Sequence, residues 1–255
     1  MILKREVTAL VRSGRKRDSS FLKALMVILP IIIIGIVVFA LIAVFKQYLS
    51  LSADTDSQND NAAVETKKDE SKLLLLISPD FPLSSDYKTD LVSFDDIEVD
   101  RVMLNDLKEL TEAASKAQVA LRLDGGYVSP EEQHELYMNE VRRLISAEGM
   151  TDAKARKEAE KTVPMENHSE QQSGLSVVFS SALTADFSES EEYNWLCRSC
   201  MNYGFVLRYP KDKESATGRN YDPTCFRYVG RENAVKMTTF NMTLDEYVNY
   251  LDSRK

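Results

Sequence analysis

Two short blocks near the C-terminus decide the fold: YGFVLRYP at residues 203–210 and FRYVG at residues 226–230. Each block carries aromatic and β-branched residues in a run of strand length, and a polar stretch separates them. The first block follows a helical pattern over residues 189–203, which Gly204 is expected to end because glycine adopts the left-handed conformation of a helix C-cap. The pattern predicts a helix followed by two neighbouring strands.

The preceding sequence continues this alternation of strands and helices. Apolar runs at residues 73–78, 119–123 and 175–179 predict three buried strands, and a charged segment at 151–161 predicts a helix. Capping boxes at Ser129 and Thr243 predict the starts of two more helices. A helix is also expected after residues 99–101, because apolar residues recur there at helical spacing. That apolar face consists of Met103, Leu107, Leu110, Ala114 and Ala117. Residues 72–255 are therefore predicted to form one mixed α+β domain.

A different organisation is expected before residue 72. Residues 24–45 are an uninterrupted apolar run, so residues 24–46 are interpreted as a transmembrane helix. The basic segment 1–23 is expected to stay cytoplasmic, so the C-terminal domain is expected on the outer side of the cell membrane. A cleaved signal peptide is the alternative, although its apolar core is usually shorter. Residues 47–71 are polar and without apolar periodicity, and are predicted to be a flexible extracellular stalk.

The charge distribution argues against a nucleic acid partner. The chain has a net charge of -8, and residues 1–23 carry seven basic against two acidic residues, which leaves 25 basic and 38 acidic residues from position 24 onward. The distal domain is acidic, so no nucleic acid partner is expected, because nucleic acid binding requires a basic surface.

Five blocks of the distal domain, in order, resemble the VanY-type D-alanyl-D-alanine carboxypeptidases, a family of zinc peptidases. The blocks are LLLLISPDFPLSSDYKTDLV at 73–92, GGYVSPEEQHELY at 125–137, SEQQSGLSVVF at 169–179, YNWLCRSCMNYGFVLRYP at 193–210 and TGRNYDPTCFRYVG at 217–230. The resemblance covers about residues 72–252. It implies a small mixed or antiparallel sheet with packed helices, and a catalytic zinc.

The resemblance also implies which positions hold this zinc: the family has a His, an Asp and a His there, and this chain has Gln171, Val178 and Cys225. Catalytic zinc takes three protein ligands drawn from His, Cys, Asp and Glu, and of these three residues only the cysteine qualifies. No metal and no other cofactor is therefore expected to bind. Asp222 stands where the family has its general base, and Val128 where it has an arginine that contacts substrate. Asp222 is interpreted as inactive, and serving only to form a turn before Pro223 is the alternative.

Other cleft positions keep the family's residues. These retained positions are Tyr127, Ser129, Gln133, Ser169 and Arg227. A rearranged metal site made of His168, Glu170 and Cys225 is conceivable from ligand types, although His168 is expected to face away from the site. His134 is expected on an exposed helix face. The three cysteines, Cys197, Cys200 and Cys225, are an odd number, and Cys200 is expected to be a buried free thiol.

Three functions remain open. The first is an inactive pseudoenzyme at the cell membrane that binds peptidoglycan stem peptides or an envelope protein. The second is an active metallo-carboxypeptidase that trims peptidoglycan with a rearranged metal site. The third is a structural spacer in an envelope complex. Replacement of residues at metal and substrate positions within a retained frame favours the first.

Overall fold

The two C-terminal blocks form adjacent antiparallel strands, as predicted. The computed structural model describes residues 72–254. Its strands are β1 (Leu91–Phe94), β2 (Ile97–Asp100), β3 (Arg122–Gly125), β4 (Ser176–Ser180), β5 (Phe205–Tyr209) and β6 (Asp222–Tyr228). Within these residues, the main sheet has four strands in the order β3-β4-β6-β5, and every neighbouring pair is antiparallel. A separate antiparallel hairpin pairs β1 with β2.

Seven helices of the described segment surround these sheets. They are α1 (Leu104–Lys116), α2 (Pro130–Glu148), α3 (Asp152–Ala159), α4 (Glu191–Ser199), α5 (Glu214–Thr217), α6 (Arg231–Thr239) and α7 (Leu244–Asp252). The fold is thus mixed α+β, as expected. The main core lies between the four-stranded sheet, α1 and α4, with Leu107, Phe179 and Phe226 among its fully buried members.

Helix starts agree closely with the sequence. Ser129 and Thr243 each accept a hydrogen bond from the backbone of the third helical residue, and that glutamate bonds back to the cap, so both capping boxes are present. The apolar face predicted for α1 is buried up to Ala114, whereas Ala117 is exposed because the helix ends at Lys116. The helix expected over 189–203 is α4 followed by a 3-10 turn at Cys200–Tyr203, and Gly204 ends it with φ 82°.

The strand predicted at 73–78 is wrong. The segment pairs with no strand of the described chain, and its carbonyl groups are satisfied by arginine side chains. Arg227 donates to the carbonyls of Leu73 and Leu75, both at 3.2 Å, and Arg208 to that of Ile77 at 3.3 Å. Two buried guanidinium groups thus supply the donors that a neighbouring strand would otherwise provide.

Elsewhere the boundaries shift or elements were missed. The strand expected at 119–123 is Arg122–Gly125, the one at 175–179 is Ser176–Ser180, and the helix at 151–161 is Asp152–Ala159. Sequence patterns did not predict the hairpin of β1 and β2, nor α5 and α6. The hairpin strands have only four residues each, too few for a periodic signal.

The interpretations of residues 1–23, 24–46 and 47–71 lie outside the described residues. Between residues 72 and 254, none of the helices is both long and apolar enough to span a membrane.

Candidate functional site

The centre of the sheet brings together two of the positions that the resemblance assigned to metal. Val178 of β4 is paired with Gly125 of β3 on one side and with Cys225 of β6 on the other. Residues directly opposite each other on antiparallel strands point to the same face, with Cβ atoms about 4.5–5.5 Å apart. Val178 and Cys225 therefore lie side by side.

Gln171 lies close to Val178 and belongs to a 3-10 turn at Glu170–Ser173, which Gly174 ends with φ 71°. Its side-chain Nε2 donates a hydrogen bond to the carbonyl of Gly126 at 3.0 Å. A Cβ atom built on Gly125 would lie 3.2 Å from that Nε2 and 3.4 Å from Val178. The structure therefore places the three predicted metal-position residues around one point.

These residues line a cavity of about 260 Å³. Its walls come from β4, β5, β6, the turn that holds Gln171, and two loops. The residues that matter for its chemistry are Ser169, Gln171, Val178, Tyr209, Arg219, Asp222 and Cys225. The cavity therefore occupies the place where the sequence located the family's catalytic centre.

Asp222 opens β6 at the cavity wall. Its Oδ1 accepts hydrogen bonds from the backbone N–H of Thr224 at 2.9 Å and from the Thr224 hydroxyl at 2.6 Å. One carboxylate oxygen is thus used to hold the turn around Pro223, as the turn-former alternative suggested. The residue nevertheless lines the cavity, so its charge contributes to the site.

Cys225 is 6% exposed. Burial raises the pKa of its thiol, and the neighbouring carboxylate of Asp222 raises it further. The group is therefore a protonated thiol at neutral pH. Zinc binds thiolate, so metal would have to displace this proton in a buried setting.

The donor set does not fit the zinc that the family resemblance implies. Gln171 presents an amide that already donates to Gly126, and Val178 has no donor atom. Among residues 72–254, no group of three His, Cys, Asp or Glu side chains is arranged to hold a metal ion.

The rearranged site of His168, Glu170 and Cys225 is not assembled either. His168 Nδ1 lies 2.9 Å from the carbonyl of Ser78, and His168 is not part of the cavity wall. Glu170 is buried and accepts from Arg208 at 2.5 Å and from Arg227. Both of its carboxylate oxygens are therefore occupied. The sequence predicted an extended chain around His168, whereas the residues after it form a 3-10 turn.

A larger groove adjoins the cavity at Gln171, which lines both. The groove has a volume of about 1090 Å³, and Tyr127, Val128 and Ser129 lie in its wall. Its acidic members are Asp96, Glu98, Asp124, Glu131, Glu132 and Glu135. None of its lining residues within the described chain is Lys or Arg, so the groove is negatively charged at neutral pH.

The remaining residues predicted for the cleft lie in four different places. Ser169 lines the cavity, and Ser129 lines the groove while capping α2. Gln133 is buried and donates to the carbonyl of Pro164 at 2.7 Å, in a neighbouring depression that Gln171 also lines. Arg227, expected at the cleft, lies instead in the interior, where it is fully buried against Glu170 and the carbonyls of residues 73 and 75.

Two predictions about the histidines and cysteines are confirmed: His134 is exposed, and Cys200 is a buried free thiol. His134 is exposed on α2 beside Glu166, whose Oε2 lies 3.1 Å from its Nδ1. All three cysteines are free, Cys200 and Cys225 are buried, and Cys197 is exposed.

Sequence reasoning missed Arg219. This residue stands in the loop between α5 and β6 and is 5% exposed, yet it lines the cavity. A single arginine in a polar loop has no periodicity, so no pattern in the sequence could have indicated its burial.

Comparisons with known proteins agree with this geometry. Residues 96–231 match the family model described as VanY, D-alanyl-D-alanine carboxypeptidase. A D-alanyl-D-alanine carboxypeptidase of Enterococcus faecalis is 33% identical over 202 residues, which cover 77% of this chain and 74% of that protein. The putative carboxypeptidase YodJ of Bacillus subtilis is 28% identical over 200 residues, or 72% and 70% of the two chains.

Solved structures show the same fold. VanYB in complex with D-alanine-D-alanine superposes with a TM-score of 0.65 and 32% identity, over 69% of this chain and 97% of that one. A VanY variant from a VanB-type resistance cassette, in complex with Zn(II), gives a TM-score of 0.64 and 31% identity, over 69% and 99%. Since sequence, family model and fold agree, the chain belongs to the VanY family of D-alanyl-D-alanine carboxypeptidases.

Proposed function

We propose that this chain is a pseudoenzyme of the VanY family, which binds a ligand in the former catalytic cleft without hydrolysing it. One observation carries the proposal. The three metal positions hold Gln171, Val178 and Cys225, and the Gln171 amide is hydrogen-bonded to Gly126 in the space left by the missing side chain of Gly125.

The absence of zinc chemistry would leave this cleft without its catalyst. In hydrolytic zinc sites the metal lowers the pKa of bound water towards about 7 and so generates the nucleophile. Asp222 alone does not do this, because a carboxylate cannot activate bulk water to that extent. Binding without turnover is therefore the function that the side chains support.

The proposed ligand is a peptidoglycan stem peptide, with an envelope protein as the alternative partner. Support for the peptide comes from the relatives, one of which was solved in complex with D-alanine-D-alanine. A second, the LdcB LD-carboxypeptidase, is described for its peptidoglycan recognition and is 28% identical with a TM-score of 0.61. The cavity and groove retained here give such a peptide a place to lie.

We further propose that the protein is anchored in the cell membrane by residues 24–46, with the domain on the outer side. The apolar run and the basic segment before it support this. In intact cells, protease added from outside should degrade the distal domain and spare an epitope placed at residue 1. Protection of the domain under these conditions would contradict the proposed orientation.

The test of the pseudoenzyme is metal content together with peptidase activity. The full-length chain, purified in detergent, is exposed to excess zinc, dialysed and measured by elemental mass spectrometry, with the Enterococcus faecalis relative treated in parallel. We expect less than about a tenth of an equivalent of zinc, and no release of D-alanine from a stem peptide.

Nearly one equivalent of zinc together with release of D-alanine, both of them lost in Cys225→Ser, would instead support an active enzyme with a rearranged metal site. That result would overturn the pseudoenzyme.

A further inference from the structure

A second pocket of the domain lies outside the cleft described above. It has a volume of about 430 Å³, and none of the three metal-position residues belongs to its wall. Its wall comes from residues 76–81, from the end of α3 and the residues after it, from α5 and from α7. The volume falls in the range of about 300–1,000 Å³ that is usual for small-molecule sites. We call it the Phe81 pocket.

Phe81 presents its apolar ring to solvent in this wall, with 57% of the residue exposed. The turn that carries it is closed by two backbone hydrogen bonds: Ser78 N–H donates to the carbonyl of Phe81 at 3.1 Å, and Phe81 N–H donates to the carbonyl of Ser78 at 3.2 Å. The Ser78 hydroxyl also accepts from the N–H of Asp80 at 3.3 Å. The backbone that displays the ring is therefore fixed without a ligand.

The lining of the Phe81 pocket is part apolar and part polar. Leu76 and Pro79 accompany the ring, and Gly218 leaves room beside them, because a Cβ atom built there would lie 3.6 Å from its nearest neighbour. Four polar members of the wall form no side-chain hydrogen bond or ion pair with any residue between positions 72 and 254. These are Asp80, Lys157, Ser215 and Asn249. An exposed apolar surface among free polar groups is typical of a ligand site.

The charges of the wall argue against a strongly charged ligand. It contains two lysines and three carboxylates, namely Lys157, Lys161, Asp80, Glu160 and Asp245. Lys161 is already paired with Glu158, and Asp245 with Arg208. A polyanion would meet the carboxylates and a polycation would meet the lysine, so the wall fits a neutral ligand best.

A pyranose ring has the matching chemistry. Its C–H groups form an apolar face that packs on an aromatic ring, and its hydroxyls both donate and accept hydrogen bonds around the edge. Asp80 and Asn249 supply acceptors for them, and Lys157 and Asn249 supply donors. We propose that the Phe81 pocket binds a saccharide by stacking one pyranose ring on Phe81. This inference does not rest on the proposed function, because it concerns a different pocket.

The test is isothermal titration of the full-length chain, in a detergent without sugar groups, with chitotetraose and with cellotetraose. We expect a dissociation constant below about 1 mM for at least one of them. Binding of both supports recognition of the ring itself, and binding of chitotetraose alone supports recognition of an acetamido sugar. No heat from either ligand up to about 5 mM would overturn the inference. Since neither ligand contains a peptide, that result would leave the pseudoenzyme untouched.

Variants assign the binding to the ring. Phe81→Ala should weaken it at least about tenfold, whereas Phe240→Ala, which removes a phenylalanine that is 63% exposed and outside the pocket wall, should leave it unchanged. Phe81→Trp keeps a flat aromatic face and should keep the affinity. Phe81→Leu keeps only the apolar character and should weaken binding as alanine does.

The exposure of Phe81 means that these variants should retain the parent's stability in urea. Unchanged affinity in Phe81→Ala would show that the saccharide binds elsewhere. Unchanged affinity in Phe81→Leu would show an apolar contact without stacking. Either result would contradict the proposal.

Discussion

The side-chain amide of Gln171 donates to the carbonyl oxygen of Gly126 at 3.0 Å. This hydrogen bond joins the turn after Ser169 to the end of β3, and Gln171 lines the same cavity as Val178 and Cys225. A side chain on Gly125 would crowd the same amide. The residue at one of the three positions that the family resemblance assigns to metal therefore connects two elements of the fold.

Restoring all three metal ligands should restore metal binding. In the triple variant Gln171→His, Val178→Asp, Cys225→His, we expect about one equivalent of zinc after dialysis, because three protein ligands are what catalytic zinc requires. Elemental mass spectrometry measures it. The double variant that keeps Val178 should retain far less metal, and equal zinc in the double and triple variants would show that this position is not a ligand.

The two adjacent glycines should respond very differently to alanine. A Cβ atom on Gly126 would lie 2.2 Å from the carbonyl oxygen of Glu98, and that backbone is held in the β1–β2 hairpin. Gly126→Ala should therefore lower the free energy of unfolding by more than about 3 kcal/mol. Gly125→Ala meets the flexible end of Gln171 at 3.2 Å and Val178 at an ordinary contact distance of 3.4 Å, and should cost less than about 1 kcal/mol.

Urea unfolding followed by the fluorescence of Trp195, the only tryptophan of the chain, measures both glycine variants. Similar losses of stability in the two would contradict the steric argument.

Local signals in the sequence predicted much of the fold. The capping boxes at Ser129 and Thr243 and the glycine stop at Gly204 are confirmed, because each depends on neighbouring residues only. Residues 73–78 were misassigned as a strand, since an apolar run cannot show that its carbonyls bond to arginines more than 130 positions away.

The residues of the candidate site, too, were predicted only in part. That Val178 and Cys225 are neighbours follows from the resemblance, and the strand pairing confirms it. Arg227 was placed at the cleft because the family keeps it, yet its partner is Glu170 in the interior. Arg219 gave no signal, because its burial results from a loop packing against the residues around Glu160 and His168.

Only one cysteine of the folded chain should react rapidly with a thiol reagent. Cys197 is exposed, whereas Cys200 and Cys225 are buried. Burial raises the pKa of all three thiols, that of Cys200 to about 12, so access of the reagent to the sulfur is what distinguishes Cys197. Ellman's reagent should titrate one thiol quickly in the native state and three in denaturant. Cys197→Ser should remove the fast phase, and a second fast thiol in that variant would contradict the burial.

Glu170 should be a main determinant of stability. It is 2% exposed and forms ion pairs with two fully buried arginines, Arg208 and Arg227. These arginines in turn donate hydrogen bonds to the carbonyls of residues 73–77. Glu170→Gln leaves Arg227 without a carboxylate partner and Arg208 with Asp245 alone, so we expect a loss of about 3–5 kcal/mol in the free energy of unfolding. Glu214→Gln, which changes an exposed glutamate at the start of α5, should stay within about 0.5 kcal/mol.

The same carboxylate should make stability depend on pH in the acid range. Burial by itself would raise the pKa of Glu170, but Arg227 and Arg208 outweigh it, and the pKa lies below the ordinary 4.5. A group with a lowered folded-state pKa stabilises fully above its unfolded value and loses that contribution as pH falls towards the folded one. Unfolding free energy measured from about pH 6 to 3 should therefore fall below about pH 4.5, and fall less steeply in Glu170→Gln. Parallel curves for the two chains would mean that Glu170 is not charged against its arginines in the folded state.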